Sequence, residues 1–464
     1  MTSSPDWSQS PFLAGNFAPT HAEIEAPCTE VVGDMPRDLA GSLLRIGPNP
    51  GVEPHSLDRY HPFDGDGMVH QLAFADGRAS YRNRYVETPG LLRERAAGEA
   101  LWGGFRDIGS GPRPDDMPLK NLANTAFVHH AGRTFATFEA GLPTEISLAD
   151  LATVGSESFG GQWQGSFTAH PKVDPRSGEM VFLGYSPFPP YVRCGVADRH
   201  GRLVHDTTID LPRAVMIHDL AISENYTLIL DMPVTFSLDR VGRGEPAFAW
   251  EPEQGARIGV LPRHGSGRDV RWFEVETGYV FHVFNAWEED GAVLLDACRS
   301  NQTQILDGDP SDAENEMARF RQFRLDLQSG HAQERDLSSE FLDFPRIHEG
   351  YVGKRHRFGY ASRFATDYGA SLLFDALVKF DRESESFERV ELGSGVYTQE
   401  FVFAPREGAR SEDDGYVVGI VRDEGAERSE CWILDAQRFG DGPVTRIALP
   451  QRVPYGFHSH WVPA

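Results

Sequence analysis

Most of the chain consists of short β-rich apolar runs separated by brief polar turns, and segments with helical spacing of apolar positions are few. The pattern is plain in LAFADGRASYRNRYV (72–86), VHHAGRTFATFE (128–139), NAWEEDGAVLLDA (285–297) and WILDAQRFGDGPVTRIAL (432–449). The glycine in each turn supplies the positive φ that a tight hairpin requires. Residues 171–185, 195–209, 323–337 and 379–392 read the same way. The better helix candidates are residues 93–100 (RERAAGEA) and 312–322 (DAENEMARFRQ). Hairpins spread over the whole chain without a Gly/Ser-rich linker predict a single all-β domain over 1–464, with 1–20 as an N-terminal arm. A radial repeat of the propeller type houses so many strands without long exposed edges. No WD or kelch signature recurs at a fixed period. Proline-rich loops such as 187–190 are expected to cap one face.

One stretch disturbs this pattern. In AVMIHDLAISENYTLILDMPV (214–234), His218 and Asp219 stand among residues that read as buried, just before a turn at Glu224 and Asn225. A histidine in such a place is more often a hydrogen-bonded core group than a ligand. Three others share its setting: His170 in SFTAHPKVDP, His282 in GYVFHVFNAWE and His458 in PYGFHSHWV. Each follows an apolar or aromatic residue, at or near the start of a predicted strand or turn. His55, His61, His200, His205, His264, His331 and His356 lie among polar residues, glycine and proline and read as surface groups. The four are separated by 48, 64 and 176 residues, too widely for a helix-borne or zinc-finger motif. Inner strands of a propeller share one axis, so a metal site shared by four strand starts is compatible with this spacing.

Composition narrows the remaining classes. A net charge of −25 argues against nucleic acid as a partner and against electrostatic attraction to anionic lipid. Cys28, Cys194, Cys298 and Cys431 form no CxxC pair, which suits a reducing compartment. No signal-peptide pattern opens the chain and no apolar run is long enough to span a bilayer, so a soluble cytoplasmic protein is expected. No obligate protein partner is evident.

Six segments, in order, resemble the successive signatures of the carotenoid cleavage oxygenase family. They are LLRIGPNP (43–50), HPFDGDGMVH (61–70), AHPKVDPRSGEM (169–180), IHDLAISENYTLIL (217–230), FHVFNAWEEDG (281–291) and GFHSHW (456–461). The resemblance runs from about residue 12 to the C-terminus. It implies a seven-bladed β-propeller with a loop and short-helix dome, and one Fe(II) held by His170, His218, His282 and His458. Ligand type alone does not choose the metal, since imidazole suits iron, copper, nickel and zinc. Strand alternation would put His460 on the same face as His458, and the GFH motif decides for His458.

The resemblance also implies outer partners for these rings: Glu139, Glu400 and, in LDFPRI, Asp343 where the family carries glutamate. The shorter acid requires that the backbone move in, or that the bond to histidine lengthen or pass through water. Thr125 matches a threonine beside the metal's open positions, and Phe138 and Phe281 match aromatic tunnel residues. The implied reaction is O₂-dependent cleavage of a C=C bond into two carbonyl fragments. Members that cleave hydroxystilbenes carry a lysine where this chain has Phe138, and a tyrosine where Phe105 aligns. A carotenoid or apocarotenoid is therefore the favoured substrate, with a stilbenoid or phenylpropenoid alkene as the alternative. Residues 11–13 and 187–191 are the candidate apolar patches for substrate uptake at a membrane. A non-catalytic propeller scaffold is the rival from another class, and isomerisation with ester cleavage is a rival within the family. The glycines of FDGDG (63–67) are assigned to backbone shape alone.

Overall fold

The computed structural model describes residue 7 and residues 10–303, 313–365 and 373–464. Antiparallel strands dominate it, and all eight predicted hairpins form. The turn at Asp76 and Gly77 has φ of 51° and 68°, and the one at Asp290 and Gly291 has 49° and 72°. The strands of the first pair in full register, from Met68 with Tyr85 to Ala75 with Arg78.

The strands assemble into successive antiparallel groups. One sheet joins Glu25–Cys28, Arg78–Tyr85, Gly67–Ala75, Gly41–Pro48 and Ser459–Pro463, in that order. Three four-stranded sheets cover residues 126–156, 172–210 and 221–275. A twelve-stranded path covers the remainder to Ala448 and also takes in Val31–Gly33. The long strand Ala332–Arg346 serves two groups within that path. Its first half pairs with Arg319–Asp326 and its second with Phe358–Phe364.

A strand's place in its sheet is written in its side chains. Every residue of Ala292–Ser300 (AVLLDACRS) is buried, because neighbouring sheets cover both faces. The outermost strands Leu203–Asp210 (LVHDTTID) and Ser386–Glu391 (SFERVE) bury few positions and carry charge on their free edges. The ring closes where Ser459–Pro463 pairs with Gly41–Pro48, with Ser459 opposite Arg45 and Trp461 opposite Leu43.

Two helix expectations change. The first helix runs Pro89–Ala97 rather than 93–100: Thr88 Oγ1 caps it by accepting from Leu91 N at 3.2 Å, and Gly98 ends it at φ 75°. In 312–322 only Ala313–Glu316 is helical, and Asp312 lies outside the described residues. From Arg319 the chain is strand, since Phe320 and Phe323 are needed in the core and the sheet overrides local helical spacing. No helix among the described residues is long and apolar enough to cross a membrane.

Candidate metal centre

Four imidazoles converge where the inner strands meet. The Nε2 atoms of His170 and His218 lie 3.1 Å apart, those of His218 and His282 3.2 Å, and those of His282 and His458 3.2 Å. All four offered nitrogens fall within 4.8 Å of one another, and all four residues are buried. His170, His218 and His458 sit just before the strands Lys172–Val173, Ala221–Ile222 and Ser459–Pro463. His282 lies inside Tyr279–Glu289, between register shifts at Val280/His282 and Val283/Asn285. Such bulges re-aim a side chain beside a site.

His460 stays out of the cluster. The strand begins at Ser459, so His458 precedes the alternation that would have placed both rings on one face. Close backbone approach sets its position: a Cβ on Gly47 would come within 2.4 Å of Gly456 Cα. The glycines of GPNP and GFH thus let the two motifs touch. Buried Arg45 donates from Nη1 to the Phe457 carbonyl at 2.6 Å and also bonds Gln399. Burial pushes its guanidinium down to about 10.

Three rings pass their other nitrogen to a carboxylate. His282 Nδ1 donates to Asp343 Oδ1 at 2.8 Å and His458 Nδ1 to Glu400 Oε1 at 3.1 Å. His218 Nδ1 donates to Glu139 Oε1, whose Oε2 accepts the Tyr185 hydroxyl. Among the described residues no carboxylate pairs with His170. Asp343 reaches its histidine directly, with neither a lengthened bond nor a bridging water. Beside it Phe344 adopts φ 53° and stacks on His282 with ring centroids 5.3 Å apart, a left-handed residue at a site.

These bonds decide what the cluster can hold. With Nδ1–H committed outward, His218, His282 and His458 each turn a bare Nε2 lone pair inward, and His170 Nε2 faces the same point. Lone pairs little more than 3 Å apart offer each other no proton, whereas one cation between them satisfies all four. Burial, then the neighbouring imidazoles, hold His170 and His458 well below the usual histidine range, keeping them neutral. Burial would lower His282 too, yet the Asp343 carboxylate raises it. Burial raises Glu400 above the usual carboxylate range, against the pull of Arg346.

His218, His282 and His458 of the cluster line a cavity of about 1420 Å³, above the roughly 300–1,000 Å³ of ordinary small-molecule sites. Thr125, Phe105, Phe138 and Phe281 all line it. Phe281 meets His218 edge-on at 5.4 Å, and Phe105 stacks on Phe248 at 5.2 Å. Thr125 Oγ1 donates to Asn124 Oδ1 at 3.1 Å.

Sequence reasoning missed several contributors. His61 and His356 are 3 % and 1 % exposed, not surface groups; His61 packs against Phe63 and Phe105, and His356 against Trp287. The aspartates of FDGDG anchor the cap. Asp64 accepts from the main-chain N–H of His61 at 2.9 Å and of Phe105 at 2.7 Å. Asp66 pairs with Lys120 Nζ at 2.6 Å, and Lys120 also pairs with Glu94 of the helix Pro89–Ala97. The only sequence signal was acids between structural glycines.

Burial pushes the Asp64 carboxyl up from 3.8 to about 7, so the folded protein holds this proton more tightly than the unfolded chain does. Its contribution to stability is therefore full below pH 4 and lost as pH rises toward about 7. Asp64→Asn, which cannot ionise, is expected to lose less stability between pH 5 and pH 8 than the wild type. Urea unfolding at both pH values reads the difference.

A propeller with one four-imidazole centre under an aromatic cavity defines a class of metal-dependent β-propeller. The chain matches the retinal pigment epithelial membrane protein family over residues 17–463 and belongs to this family of carotenoid cleavage oxygenases. It is 36 % identical to carotenoid 9,10(9',10')-cleavage dioxygenase 1 of Arabidopsis thaliana, over 97 % of this chain and 89 % of that protein. Isoeugenol monooxygenase of Pseudomonas putida is 34 % identical, over 97 % and 98 %. The crystal structure of Pseudomonas brassicacearum lignostilbene dioxygenase superposes with a TM-score of 0.91 at 29 % identity, covering 99 % of this chain and 100 % of that one.

Proposed function

We propose that this protein is a non-haem Fe(II) dioxygenase that cleaves a C=C bond of a carotenoid or apocarotenoid into two carbonyl products. The carrying observation is the set of four converging Nε2 atoms, three of whose rings line a large apolar cavity. In this reading His170, His218, His282 and His458 hold the metal, and Glu139, Asp343 and Glu400 orient three of the rings. Ferrous iron bound there supplies the binding and activation of O₂. The chain's own part is to orient the substrate and exclude water. Phe138, Phe281 and Phe105 would hold a flat conjugated chain over the centre, with Thr125 on the same cavity wall. The successive groups of antiparallel strands support a single propeller domain, for which the family resemblance implies seven blades.

Phe138 and Phe105 on the cavity wall support a polyene over a phenol-bearing alkene. The stilbenoid or phenylpropenoid reading draws support from the isoeugenol and lignostilbene relatives. Substrate uptake at a membrane draws support from Phe188, which is 61 % exposed at the cavity mouth. Residues 11–13 serve that role poorly, since Leu13 is 2 % exposed.

Iron-loaded protein should be incubated under ¹⁸O₂ with apocarotenals and with hydroxystilbenes, and the aldehydes identified. Labelled aldehydes from the polyenes support the proposal, and labelled aldehydes from the stilbenes alone support the second reading. Products free of label from O₂ would overturn both in favour of isomerisation with ester cleavage. Protein that neither retains iron nor turns over with added Fe(II) would leave the binding scaffold.

A further inference from the structure

Asp219 follows His218 directly, yet none of the three histidine–carboxylate pairs uses it. It is 2 % exposed, and its oxygens reach across three parts of the ring. Oδ2 accepts the main-chain N–H of Val283, beside His282, at 2.9 Å. Oδ1 accepts from Leu220 N at 2.7 Å and pairs with Lys172 Nζ at 2.7 Å. Lys172 stands two residues after His170, in the first strand of its sheet. One carboxylate thus ties together the segments that carry His170, His218 and His282.

The sheet geometry explains why the acceptor is needed. Tyr279–Glu289 ends its sheet, so it is paired on one side only, and its register slips on both sides of His282. Bulges and a free edge leave main-chain donors without ladder partners. At Val283 a buried donor is satisfied by Asp219 from the preceding sheet. Charge points the same way. Lys172 balances Asp219, so the pair adds no net charge to a centre that already faces Glu139, Asp343 and Glu400. What the pair contributes is position.

We propose that Asp219 is a positioning residue of the metal centre, holding three of the four histidine-bearing segments in mutual register. The proposal rests on the reading of the four histidines as ligands. Its test uses the full chain, with metal affinity measured by chelator competition and geometry by the visible absorption of bound Co(II). Asp219→Ala is expected to weaken metal binding by about tenfold or more and to shift the Co(II) bands. Asp219→Asn retains an oxygen for Val283 N–H but leaves the Lys172 ammonium unpaired near a metal cation. It should also bind more weakly, and Lys172→Met added to it should recover part of the loss. Should Asp219→Ala not fold, the Asn variant and its double partner decide. Folded variants with wild-type affinity and an unchanged Co(II) spectrum would overturn the role of Asp219. Wild-type protein that takes up no metal would instead overturn the functional reading beneath it.

Discussion

Replacing His218 by alanine is expected to strip the protein of its metal and abolish turnover, while His460→Ala leaves both close to wild type. His218 occupies the middle of the cluster, with Nε2 close to those of both His170 and His282. Its removal also leaves Glu139 hydrogen-bonded to Tyr185 without its histidine, so the centre loses a ligand and that ligand's anchor together. His460 is half-buried opposite Leu44, and its ring takes no part in the cluster. Elemental analysis of the purified variants, alongside product formation, checks both halves. Metal loss in His460→Ala would overturn the assignment of the C-terminal ligand.

Lys120→Met is expected to be the most destabilising single change outside the core, by about 3–5 kcal/mol. The ammonium is held between Asp66 and Glu94, with side-chain exposures of 10 %, 2 % and 3 % for the three groups. Removing it leaves two carboxylates out of water without a cation. The variant's deficit should then shrink as the pH falls, because the folded state binds the extra protons. Urea unfolding at pH 5 and pH 8 tests both the size and the sign. Turnover should fall as well, since the helix Pro89–Ala97 covers the cavity through this contact.

What was legible in the sequence follows from how local each signal is. The hairpins could be read because a tight turn is decided by two residues, as at Asp76–Gly77 and Asp290–Gly291. The four histidines and the three acids were named by the motifs around them, and the structure brings each acid to a histidine. The errors arise where distant residues decide. His356 sits among polar neighbours in sequence and against Trp287 in space. Residues 319–322 have helical spacing but lie in a sheet whose core needs Phe320. Asp219 stood out only as an acid in a buried stretch and Lys172 carried no signal, because their partners are brought near only when three sheets meet. Nor did periodicity separate His458 from His460, which depended on where a strand begins.

The closing pair of strands has a bearing on when the protein can acquire its metal. A chain still being synthesised holds His170, His218 and His282 long before it holds His458. That last ring reaches the centre only as Ser459–Pro463 docks beside Gly41–Pro48. The four-ring centre and the circle of strands are therefore completed together.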